Sequence, residues 1–188
     1  TATALTTNSF TRTGYTFAGW ATTSTGSVAY ANSASVTITS GMDLFAKWTA
    51  NSNVVVFDNS GGSGTMANQS ITSGTATALT ANSFTKTGYT FAGWATSSGG
   101  SVAYANSESV TITAGMTLYA KWNANSNPVT FDANGGSGTM ANQSITSGTA
   151  TALTANSFTK TGYTFAGWAT SAGGAVVYAN SASVTITS

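Results

Sequence analysis

The side chains capable of chemistry are few and scattered. The chain has four carboxylates (Asp43, Asp58, Glu108 and Asp132), five cations, and neither histidine nor cysteine. Histidine is the commonest general base and metal ligand near neutral pH. Paired-carboxylate catalysis needs two acids held at a defined separation. Asp58 and Asp132 are one position repeated, and Asp43 aligns with Thr117, so no such pair recurs. A serine nucleophile needs an activating base, and none is evident. Gly61-Gly62-Ser63-Gly64 lacks the lysine that completes a phosphate loop and has strand-like flanks, which makes it a hairpin turn. Calcium takes about six to eight oxygens. One aspartate with a few asparagines is thin support for such a site, and the competing assignment is an aspartate closing its own turn. Lys47 and Lys121 invite comparison with Lys–Asn isopeptide crosslinks, but strand alternation puts both on an outer face as plain solvent-facing charges. Arg12, Lys86 and Lys160 share one position before Gly-Tyr and read as solubilising charges. The expectation is a protein that is not an enzyme and has no cofactor, no metal and no catalytic residue.

What does recur is aromatic. Gly14-Tyr15-Thr16-Phe17-Ala18-Gly19-Trp20 returns at Gly88 to Trp94 and at Gly162 to Trp168. The spacing is constant, since 91 − 17 = 74 and 165 − 91 = 74. A fixed period of this kind marks a tandem array. Residues 1–48 form the C-terminal portion of one repeat, 54–122 a complete repeat, and 128–188 a repeat without a counterpart of Gly115 to Trp122. Residues 49–53 and 123–127 read as polar linkers. A repeat without its last strand leaves a sheet edge able to accept a strand, although a window cut from a longer protein is the preferred explanation.

Within the complete repeat the dominant period is two, which predicts strands. Val54 to Phe57, Met66 to Thr72 with Ile71 inward, Tyr89 to Trp94, Val102 to Tyr104, Val110 to Ile112 and Thr117 to Trp122 are the candidates. Asn134-Gly135 in the third repeat is a hairpin signal. Alternation sets Trp94 opposite Tyr89 and Phe91 unless a bulge intervenes, which Gly93 makes plausible. Residues 73–87 hold either a short helical turn or an extended crossover, with Leu79 and Phe84 as anchors. The last strand is expected to turn Leu118, Ala120 and Trp122 inward, and Tyr119 and Lys121 outward. The class is mostly β.

Small modules bury little surface in proportion to their size, and aromatic rings offset this because each buries roughly 150–250 Å². Tyr15, Phe17, Trp20, Trp48, Phe57, Tyr89, Phe91, Trp94, Leu118, Trp122, Phe131, Tyr163, Phe165 and Trp168 are therefore assigned to the repeat core. The alternative for the aromatic block is a sugar-stacking platform. Tyr104 and Tyr119 are the candidates for surface binding.

Charged residues are 5% of the chain and net charge is +1, against roughly 25% charged residues in ordinary domains. That balance offers no electrostatic footprint for nucleic acid or an anionic membrane surface. No run approaches the roughly 20 apolar residues that span a bilayer, so no membrane insertion is expected of this segment. Aromatics at 11%, with alternating Val and Ile, argue against disorder.

Val129-Thr-Phe-Asp-Ala-Asn-Gly-Gly136, Gly162-Tyr-Thr-Phe-Ala-Gly-Trp168 and Leu118-Tyr-Ala-Lys-Trp122 together resemble the Listeria–Bacteroides repeat family, which includes the B repeat of internalin B. The resemblance covers the chain apart from the linkers. It implies α+β, β-grasp-like modules in a linear array, each a small sheet around one short helical element. It also implies secreted or surface-attached bacterial proteins in which such arrays serve as stalks, spacers or adhesion modules.

The functional expectation is a non-catalytic stalk, spacer or fibre-forming segment, located extracellularly or on a bacterial cell surface. Its expected partners are neighbouring repeats, with identical chains in a fibre or a surface ligand as further possibilities. The alternative is an adhesin module for glycans or proteins. Low charge on edge strands, which usually carry protective charges, motivates the expectation of lateral association.

Overall fold

Alternating apolar and polar residues place successive side chains on opposite faces, and the backbone forms short strands wherever that alternation occurs. The computed structural model describes residues 1–187. The first repeat carries β1 (Thr3–Ala4), β2 (Tyr15–Ala21), β3 (Ser35–Val36) and β4 (Phe45–Ala50). The second carries β5 (Ser52–Asp58), β6 (Gln69–Thr72), β7 (Thr77–Ala78), β8 (Tyr89–Ala95), β9 (Ser109–Val110) and β10 (Met116–Ala124). The third carries β11 (Ser126–Val129), β12 (Gln143–Thr146), β13 (Thr151–Ala152) and β14 (Ser183–Val184).

The chain divides into two compact units that cut across the repeats. The first comprises Thr1–Ser60, Thr65–Ser83 and Gly93–Ala120. The second comprises Gly61–Gly64, Phe84–Ala92 and the chain from Lys121 onward.

The main, four-stranded sheet has the order β6-β5-β10-β8. β5 and β6 are an antiparallel hairpin, with Asn53 opposite Ile71. β5 and β10 run parallel, pairing Val55 with Met116 and Phe57 with Leu118. β5 follows its alternation closely: Asn53, Val55 and Phe57 are buried while Val54 and Val56 face outward. Leu118 and Ala120 of β10 are buried, as the pattern predicts, together with Ile71, Leu79 and Trp94. The first repeat adds the antiparallel pair β2-β4. Its register shifts between Phe17 and Gly19, which is the bulge that glycine at this position suggests. Gly19 sits at φ 141°, and a Cβ there would lie 2.6 Å from the Tyr30 carbonyl oxygen. The bulge rotates Trp20 onto the side of Phe17, with ring centroids 5.0 Å apart.

The second unit repeats the hairpin as β11-β12, with Asn127 opposite Ile145. Its core is Phe131, Ile145, Leu153 and Val184, with Phe158 and Trp168 packed against it. Tyr163 to Ala169, the counterpart of β2 and β8, is not strand here.

The described residues contain no helix, so the short helical element implied by the family resemblance is not seen. Residues 73–87 follow the extended alternative, and Leu79 and Phe84 are buried. A glutamine side chain supports this path. Gln69 Nε2 donates to the Ala78 carbonyl (2.7 Å), and its Oε1 accepts from the Thr80 amide (2.9 Å). Gln143 does the same with Ala152 and Thr154. Thr, Ser and Asn are weak helix formers, and backbone groups held by a side chain in an extended path have no need of one.

Candidate functional site: the junction between repeats

The residues read as polar linkers are built into strands. Thr49 and Ala50 end β4, and Ser52 and Asn53 open β5. Asn51, left between them, turns the chain from one repeat into the next. Its amide donates to the Gly14 carbonyl (2.9 Å), its carbonyl accepts from the Ser73 amide (2.9 Å), and its Oδ1 accepts from Thr16 Oγ1 (2.7 Å).

Asn53 is buried, and its Nδ2 donates to the Ile71 carbonyl (3.3 Å) and to Ser73 Oγ (2.8 Å). The Tyr15 hydroxyl donates to the Ser73 carbonyl at 3.3 Å, and the Arg12 guanidinium lies 3.9 Å from the centre of the Tyr15 ring. A cation over an aromatic face is attracted by the ring quadrupole, so Arg12 holds the tyrosine in place as well as carrying charge. Buried polar groups persist when paired, and here the pairing partners come from two repeats.

The second unit contains the same junction one period later. Asn125 donates to Gly88 (2.8 Å) and accepts from Ser147 (2.9 Å) and Thr90 Oγ1 (2.7 Å). Asn127 Nδ2 reaches the Ile145 carbonyl (3.3 Å) and Ser147 Oγ (2.9 Å). The Tyr89 hydroxyl donates to the Ser147 carbonyl (3.4 Å), and Lys86 Nζ lies 4.7 Å from its ring centre.

Glycine is required where the two repeats touch. Gly14 and Gly88 have φ of 79° and 77°. A Cβ on Gly14 would meet Ser73 Oγ at 2.7 Å and Thr113 Cβ at 2.9 Å, and one on Gly88 would meet the Thr187 carbonyl oxygen and Ser147 Oγ. The third copy, Gly162, has open space at that point. Beside it Tyr163 is 73% exposed, with Lys160 Nζ 4.9 Å from its ring centre.

The other aromatic residues singled out in the sequence form ring pairs. Phe17 meets Trp48 edge-on at 5.6 Å, and Phe91 meets Trp122 the same way at 5.7 Å. Phe57 and Trp94 pack at 4.9 Å, Phe131 and Trp168 at 4.8 Å, and Phe165 and Trp168 at 4.8 Å. Leu118 is fully buried beside Phe57 in the strand register. Tyr15 and Tyr89 lie half-buried at the junctions. Tyr104 and Tyr119 are also half-buried, and the Tyr104 backbone is tied to Trp94 by hydrogen bonds of 2.8 and 3.0 Å.

The ionisable groups serve turns and loops. Asp58 Oδ1 accepts from the Ser60 amide, and Asp132 Oδ1 from the Asn134 amide, both at 2.7 Å. These are aspartates closing their own turns. Lys47 Nζ donates to the Ser24 carbonyl at 3.3 Å. Among the described residues no three His, Cys, Asp or Glu side chains gather as a metal site.

Sequence reasoning took Asn51 and Asn53 for linker and Arg12, Lys86 and Lys160 for solubilising charges, and gave Gly14 and Ser73 no role at a junction. The signal was present as recurrence: Asn-Ser-Asn at 51–53 and 125–127, and Thr-Ser-Gly at 72–74 and 146–148, repeat at the array period.

The family model of the Listeria-Bacteroides repeat domain matches residues 1–47, 54–121 and 128–188. The chain belongs to that family. No solved structure matches it.

Proposed function

We propose that this chain of Listeria-Bacteroides repeats is a non-catalytic array segment of an extracellular bacterial surface protein, acting as a stalk or spacer. The observation that carries the proposal is the junction, whose hydrogen bonds recur one period apart to within about 0.1 Å. An element whose purpose is length needs a connection that any repeat makes with the next, and tandem modules whose contacts are with their neighbours supply that. The parallel pairing of β5 with β10 inside the sheet supports a β-grasp-like module. The family name supports a bacterial parent. The use of carboxylates in turns agrees with a non-catalytic role.

The test adds or removes whole 74-residue periods in the parent protein and measures how far a distal epitope stands from the cell surface. A stalk predicts a distance that changes stepwise with repeat number, while binding by the rest of the protein persists. Loss of a binding activity on removing a single period, with the distance restored by an unrelated spacer, would assign recognition to the repeats themselves.

A further inference from the structure

One short motif recurs in the array without taking part in the junction. Asn68-Gln69-Ser70 returns as Asn142-Gln143-Ser144 one period on, since 142 − 68 = 74. Asparagine followed two residues later by Ser or Thr, with no proline between, is the acceptor motif for N-linked sugars. The chain is rich in Asn, Ser and Thr, yet no other asparagine has Ser or Thr at that distance. Abundance alone therefore does not account for the motif.

The backbone presents it outward. In an extended chain residues i and i+2 share a face. Asn68, Ser70 and Thr72 are exposed, whereas Gln69 is half-buried and Ile71 buried. Asn142 to Thr146 repeats that pattern position for position. The middle residue fixes the orientation. Both ends of the Gln69 carboxamide are held by backbone groups, and so are those of Gln143. With the glutamine pinned inward, the asparagine and serine on either side of it face solvent. Asn53, Asn127 and Asn134 commit their Nδ2 groups to carbonyls at 3.3, 3.3 and 3.0 Å. Among the described residues the Nδ2 groups of Asn68 and Asn142 have no such acceptor.

The position also has a use for bulk. β6 is the outermost strand in the order β6-β5-β10-β8. Edge strands are ordinarily guarded by charges, proline or a covering element, and Gln69 to Thr72 has neither charge nor proline. A sugar chain at the entry to this strand hydrates the edge and blocks pairing with another chain.

We infer that Asn68 and Asn142 are acceptor sites for N-linked glycans, one per period of the array. The donor class is a glycosyl unit activated as a polyprenyl diphosphate. Asparagine Nδ2 bonds to the anomeric carbon, and the bond from that carbon to the diphosphate oxygen breaks. Polyprenyl diphosphate leaves with the electron pair, and the amide proton passes to a base of the transferase. The serine hydroxyl two residues on is the group by which the transferase reads the acceptor. Ser144 Oγ also meets Ser126 Oγ in an exposed contact, and a hydroxyl keeps further bonding capacity. The inference rests on the surface-protein reading, because lipid-linked donors of this class are used on the outer side of the cell membrane.

The experiment isolates the parent protein from the cells that make it, locates it by fractionation, and maps glycopeptides by electron-transfer mass spectrometry. Expected is a surface protein with sugar on Asn68 and Asn142 and on no other asparagine of the chain. Ser70→Ala should remove the glycan at Asn68 and leave that at Asn142, whereas Ser70→Thr should keep both. Ser70 is exposed, so neither variant should disturb folding by more than about 0.5 kcal/mol. A surface protein with both asparagines bare overturns the inference and leaves the surface reading standing. A glycan at Asn68 that survives Ser70→Ala overturns recognition through this motif. A parent protein found in the cytoplasm overturns the surface reading, and the inference falls with it.

Discussion

At the residue scale, the side chain with the most consequence is one that looks dispensable in the sequence. Asn53 stands in a polar run, yet it is buried and donates to both Ile71 and Ser73. Removing one partner of a buried hydrogen bond leaves the other unsatisfied, which costs about 1–3 kcal/mol. Asn53→Ala is expected to lose that much stability in urea denaturation. Ser52→Ala, one residue earlier and exposed, should change stability by less than about 0.5 kcal/mol. Equal effects at the two positions would mean that the asparagine is not the structural member of the pair. The five serines and asparagines at positive φ, including Ser60 at 49° and Asn134 at 45°, show the same economy. Small polar residues that a sequence reading treats as filler are set where the backbone turns, and asparagine tolerates the left-handed region better than most residues.

At the scale of the element, the junction is where glycine identity matters. Gly88 and Gly162 share nearly the same φ, 77° and 78°, so alanine at either bears a similar left-handed backbone cost of roughly 1–2 kcal/mol. Only Gly88 faces a neighbour at contact distance. Gly88→Ala should therefore be more destabilising than Gly162→Ala by a further 1–3 kcal/mol or so, the range for overpacking. Paired denaturation curves of the two variants measure the difference, and identical curves would mean the junction yields freely.

The strands themselves were legible in the sequence because alternation is a local signal: Ile71, Leu118 and Ala120 are inward where the period puts them. The bulge at Gly19 was foreshadowed because a glycine in a strand pattern has few other uses. The fate of residues 73–87 was not legible, since it depends on Gln69 reaching across to Ala78 and Thr80, a contact with no periodic trace. The junction lay hidden for a related reason. Asn51 meets Gly14 and Ser73, and Tyr15 meets Ser73, across long stretches of chain, and composition alone gives polar residues the appearance of linker.

At the scale of the whole molecule, the pairing of β5 with β10 has a mechanical meaning. These are the first and last main-sheet strands of the second repeat, and they run parallel. A pull along the chain enters through the start of β5 and leaves through the end of β10, so it slides the two strands lengthwise past each other. The hydrogen bonds of the pair then bear load together; in an antiparallel hairpin pulled from its open end they would break in succession, like a zip opening. The repeat should behave as a shear clamp. Single-molecule stretching is expected to give discrete rupture events for the complete repeat, each releasing on the order of 3.3–3.6 Å per residue of freed chain. A break in the parallel pair, by proline at Val56, should convert those events into a low, featureless extension. An array joined in this way would transmit tension along its length and give way one module at a time, acting as a shock absorber.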